Sequence, residues 1–112
     1  MTTTRREDPL SSLGRFTEPS VLILAALAGG PRHGYSIMLE AERMSGQPLG
    51  PGTLYASLAR LERRSLIAAL PPEGRRRPYR ISGLGAEVLE AHLQGLRQFA
   101  NAALASLDRG AT

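Results

Sequence analysis

The chain contains no cysteine, no tryptophan and no lysine, and its aromatics are three tyrosines and two phenylalanines. Without cysteine there are no disulfides, no thiolate metal sites and no thiol nucleophile, an inventory that suits a reducing cytosol. Aromatics at 4% offer few faces on which single-stranded bases could stack, which argues against an RNA-binding accessory role. Long apolar runs are missing too. The longest, VLILAALA over residues 21–28, falls far short of the roughly 20 residues a membrane-crossing helix needs. It does not read as a signal-peptide core either, because Glu7, Asp8, Glu18 and Pro19 separate it from Arg5 and Arg6 and no small-residue cleavage site follows. The expectation is a soluble, cytoplasmic chain with no membrane partner.

The ingredients of catalysis are equally sparse. His33 and His92 are the only histidines and stand far apart, whereas a metal site needs three or more ligands at workable spacing, so no metal and no cofactor is expected. Glu40 and Glu42 lie two apart on a helical stretch, point in different directions and make no acid–base pair. The Gly29-Gly30-Pro31 turn lacks the lysine of a phosphate-binding loop. No catalytic residue is assigned and the chain is not expected to be an enzyme. His33 is expected to help cap a helix, and His92 to pack beside an apolar seam.

What the chain does have is arginine concentrated in one place. The 112 residues (12.0 kDa) carry a formal charge of +4. Residues 60–80 alone hold seven arginines against Glu62 and Glu73, a local excess of +5, while the flanking segments nearly cancel. A localised basic patch is the electrostatic footprint of a polyanion binder.

The patterning gives a mainly α chain with a small two-stranded β-hairpin. Residues 1–16 read as a flexible arm, and Thr17 caps a first helix with Glu18 and Pro19 in its opening turn and Gly29-Gly30 as its stop. After a turn at 31–34, the positions Tyr35, Met38, Ala41 and Met44, with Ile37 beside them, define an amphipathic second helix ending near Gly46. A third helix over 51–64 starts with Gly50 in the cap slot and Pro51 at the first position, and Leu54, Leu58 and Leu61 form its apolar stripe. LIAAL (66–70) and RPYRI (77–81) then alternate like strands around PPEGRR, and Pro78 predicts that its strand lies at an edge. Ser82 caps a long last helix. Three helices followed by a hairpin is the order of a winged helix-turn-helix over 17–82, with a dimerisation helix over 83–108 and a tail over 109–112.

In that fold the second motif helix enters the major groove and the hairpin lies along the backbone or minor groove. With the leucine stripe facing the core, the opposite face shows Gly52, Thr53, Ala56, Ala59, Arg60 and Arg63, with Tyr55 on the flank. Small residues there allow close approach to base edges, while Arg60 and Arg63 reach phosphates or a guanine. Arg75, Arg76 and Arg77 sit at the wing tip. The competing reading is a winged-helix interaction module whose basic wing grips an acidic protein.

In the last helix Leu89, Leu93, Leu96, Ala100, Ala103 and Leu107 step by four and three, with Val88, His92 and Phe99 alongside. This heptad seam calls for a second copy of the chain, and the all-round apolar first helix, Leu22 included, is expected to need covering by that partner; the alternative is that the last helix folds back along the first and buries both.

Three ordered motifs resemble the PadR family of bacterial transcriptional regulators: GPRHGYSI (30–37), PGTLYASLARLERRSLI (51–67) and GRRRPYRISGLG (74–85). The likeness covers about residues 17–90. It implies that Thr53, Tyr55 and the wing arginines contact double-stranded DNA, and that a homodimer represses at a short palindromic operator, released by a small-molecule effector or another signal. Departures are Gly50 where the family commonly has Ser, and Ile81-Ser82-Gly83 in place of Leu-Thr-Glu, which removes the acidic half of a capping box. The short C-terminal region resembles the single-helix branch. Some members bind planar aromatic drugs in a dimer pore lined by aromatics of the last helix; here that helix offers Phe99 alone.

Overall fold

Helix α1 (Pro19–Ala28) starts one residue later than the sequence suggests. A residue preceding proline is pushed out of the helical region, so Glu18 stays extended and becomes the N-cap, its carbonyl accepting from the amides of Val21 and Leu22. Thr17 therefore makes no cap bond, and its buried Oγ1 has no hydrogen-bond partner among the described residues. The computed structural model describes residues 17–111, so the arm assigned to 1–16 lies outside the described residues.

The elements that follow are β1 (Arg32–His33), α2 (Gly34–Ser45), α3 (Pro51–Arg63), β2 (Ile67–Ala69), β3 (Pro78–Ile81) and α4 (Gly83–Gly110). The predicted turn at 31–34 thus contains a strand, and the sheet has three strands in the order β1-β3-β2, all antiparallel. This corrects the edge position assigned to the Pro78 strand. β3 is central, which Pro78 allows because it is the first residue of the strand and contributes its carbonyl, accepting from the Leu70 amide at 2.8 Å.

α1 packs against α2, α3, α4 and β3, and this closes the core within one chain. Ile23, Leu27, Ile37, Leu54 and Leu58 are fully enclosed at its centre. Leu22, assigned from sequence to a dimer interface, is only 5% exposed inside that core, because four elements cover the apolar helix that one small domain was expected to leave open. On α2 the buried face is Gly34, Ile37 and Ala41, with Met38 packed beside them. Tyr35 and Met44 are exposed: a repeat of three drifts away from a helix that turns every 3.6 residues.

Ser82 does cap α4, accepting from the Gly85 amide at 2.9 Å and donating to the Ser65 carbonyl at 2.7 Å, which ties the helix start to the end of α3. α4 runs to Gly110, two residues beyond the expected boundary, and takes in Arg109 and Gly110 of the predicted tail. No helix among the described residues is long and apolar enough to cross a membrane.

Candidate nucleic-acid interface

α3 is held by the side it buries. Leu54, Ser57, Leu58 and Leu61 face inward, which turns Gly52, Thr53, Ala56, Ala59, Arg60 and Arg63 outward, all of them exposed as their spacing requires. Proline at the first helical position and Gly50 at the N-cap leave the entry to the helix free of bulk. The far end closes with Ser65 in the left-handed region at φ 62°; its amide bonds to Glu62 and that of Leu66 to Leu61, so the chain reverses directly into β2.

Arg60 is bent back along the helix, its Nη2 donating to the buried Ser57 hydroxyl at 3.2 Å. Tyr55 lies on the flank nearer β1, half exposed, with its hydroxyl over Gly34: a Cβ at that glycine would stand 2.6 Å from Tyr55 Oη. The first residue of α2 is thereby the seat on which the Tyr55 side chain rests. Neighbouring Tyr79 of β3 is partly buried, and that burial holds its phenol above the ordinary range; Glu62 adds to the effect and Arg77 opposes it. The ring thus carries a neutral hydroxyl between α3 and the wing.

The wing is a closed loop. Glu73 and Arg76 exchange both backbone hydrogen bonds, at 2.7 and 3.0 Å, around Gly74 and Arg75. Gly74, at φ 63°, takes the first central position of this two-residue turn, where a side chain is disfavoured. Arg75, Arg76 and Arg77 are all exposed on it. Arg76 Nη1 lies 3.4 Å from His33 Nε2, while His33 makes no side-chain cap bond to α2 despite occupying its N-cap position. The capping role expected of His33 is corrected accordingly: its ring faces the wing.

Two further exposed arginines, Arg64 and Arg80, were not singled out by sequence. The alternation of β3, with Tyr79 and Ile81 packed against the core and Arg80 exposed between them, carried the signal for Arg80. Among the described residues the close ion pairs join Arg32 and Arg43 to Glu40; none involves an arginine of α3 or of the wing. The positive charge of residues 60–80 is therefore presented to solvent by α3 and the hairpin.

A tri-helical core with an exposed third helix and a basic hairpin defines the winged-helix class of DNA-binding proteins. Residues 23–91 match the model of the transcriptional regulator PadR-like family, and the chain belongs to that family. That family is one of transcriptional regulators. The fold is similar to that of a transcriptional regulator from Clostridium thermocellum (25% identity, TM-score 0.67, 75% of this chain and 87% of that one). It is also similar to a PadR family transcription regulator from Clostridium difficile (26% identity, TM-score 0.66, 74% and 91%). In sequence, 76 residues are 47% identical to an uncharacterized 37.1 kDa protein in transposon TN4556 of Streptomyces fradiae; they span 68% of this chain and 22% of that protein.

Proposed function

We propose that the chain acts as a cytoplasmic homodimeric repressor at a palindromic operator, with α3 in the major groove and the wing on the flanking backbone. The observation that carries this reading is the set of exposed arginines on α3 and the wing, none of which has a close carboxylate partner among the described residues. Gly52, Thr53 and Ala56 meet base edges, Arg60 leaves Ser57 to contact a guanine or phosphate, and Tyr55, Arg63, Arg75, Arg76 and Arg77 hold the backbone. The dimer forms through Leu93, Leu96, Phe99, Ala100, Ala103 and Leu107 of α4. Two-fold symmetry then sets the two copies of α3 about 34–36 Å apart, one turn of the duplex. A small-molecule effector that favours a different spacing would release the operator.

Salt dependence tests the DNA contact directly. Roughly six arginine–phosphate contacts per dimer give log affinity against log salt a slope near −5. Replacing Arg75, Arg76 and Arg77 together by Ala should weaken binding to every sequence and flatten that slope, whereas Thr53→Ala should alter sequence preference. A triple variant that binds duplex DNA as well as the parent would remove the wing from the reading.

A further inference from the structure

β1 is two residues long, and its pairing decides how the wing is held. Arg32 is engaged by the body of the protein: Nε donates to the Ala26 carbonyl at 3.0 Å, Nη1 donates to Ser36 Oγ at 2.9 Å, and Nη2 lies 3.8 Å from Glu40. His33 pairs with Pro78, at the point where the hairpin leaves the sheet, and there its Nε2 meets Arg76 Nη1. A guanidinium has only donors, so the ring nitrogen facing it acts as the acceptor. Among the described residues this is the one side-chain hydrogen-bonding contact between the wing arginines and the rest of the fold.

We infer that His33 is a positioning residue for DNA contact, holding Arg76 in a restricted orientation before the duplex arrives. The inference rests on the DNA-facing reading of the wing. A long side chain that is free in solution gives up rotamer freedom on binding, and one already restrained gives up less. A tight turn with three arginines supplies charge; a partner on the body gives one of those charges a direction. Among the described residues the neighbouring Arg75 and Arg77 have no such partner, and they serve as diffuse charge.

The experiment is a double-mutant cycle on the full chain, with a mixed-sequence duplex about three helical turns long as probe and thermal melting of each variant as a folding control. Arg76→Ala should weaken binding. His33→Ala should weaken it about two- to tenfold, the worth of one hydrogen bond. In the Arg76→Ala background the same histidine change should cost nothing further, and His33→Gln, whose amide oxygen can accept, should restore most of the parent affinity. If His33→Ala melts below the assay temperature, His33→Leu, of similar bulk and without an acceptor, takes its place beside His33→Gln. An unaltered affinity for Arg76→Ala overturns the positioning role, whereas the wing reading itself falls only if the triple arginine variant also binds as the parent does. If Arg76→Ala does weaken binding, a histidine loss that persists undiminished in its background overturns the positioning role alone, as does a histidine variant that loses nothing.

Discussion

At the scale of single residues, two glycines show why the motifs have the composition they do. A Cβ on Gly85 would collide with the backbone carbonyl of Leu66, and would stand 2.9 Å from Ile81 Cγ1. Neither neighbour can withdraw easily, because Leu66 is held by its bonds to Leu61 and Ser82. Gly85→Ala should therefore destabilise the fold by about 3 kcal/mol, at the upper end of overpacking costs, measured as a fall in the urea midpoint. Gly34 differs because its nearest obstacle is the hydroxyl end of Tyr55, a side chain that can swing outward. Gly34→Ala should leave stability within about 1 kcal/mol of the parent, since alanine is also the better helix former. The displaced Tyr55 should lower DNA affinity instead. A large stability loss for Gly34→Ala with unchanged binding would contradict the seat assigned to that tyrosine.

At the scale of elements, α3, the hairpin and the Ser82 cap were legible because each carries a local signal: proline at the first turn, a leucine stripe, strand alternation, a serine before the last helix. The misreadings have physical causes of the same scale. β1 escaped notice because two residues cannot show alternation, and Pro78 was taken for an edge marker although the first position of a central strand tolerates it equally. His33 and Arg76 are 43 residues apart, and only the β1–β3 register brings them together. The outward face of α3 was legible, yet the Arg60 bond to Ser57 was not, because it depends on a rotamer. Ser82 offers a test at this level, as it both caps α4 and bonds to the end of α3. Ser82→Ala should cost about 1–2 kcal/mol in chemical denaturation, whereas Ser82→Asp, which keeps the cap acceptor but cannot donate to Ser65, should lose less than that.

At the scale of the whole molecule, the fold has an unequal shape: extents of 58 × 33 × 22 Å and a gyration radius of 16.3 Å, against about 13 Å for a compact chain of this length. The excess is α4, whose 28 residues run roughly 42 Å at 1.5 Å each. Its apolar stripe divides into two parts. Leu89, assigned from sequence to the dimer seam, is 5% exposed and belongs to the chain's own core, so the outward seam begins at Leu93. Beyond it the same face continues through Leu96, Ala100, Ala103 and Leu107 with Phe99 beside it; Phe99 is 72% and Leu107 69% exposed. Under the proposed dimer, that continuity lets one helix serve two purposes, completing the monomer with its first turns and offering the remainder to a second copy. Because the two parts are separate, they should also separate experimentally. Leu96→Glu with Leu107→Glu should leave the thermal midpoint of the winged domain nearly unchanged while shifting sedimentation at micromolar concentration from dimer to monomer. The monomer should retain its affinity for a single half-site and lose the tighter binding that two half-sites about 34–36 Å apart give the parent. A parent chain that already sediments as a monomer would remove this account of the overhanging helix, and a double variant that unfolds would mean that the far end of α4 stabilises the monomer after all.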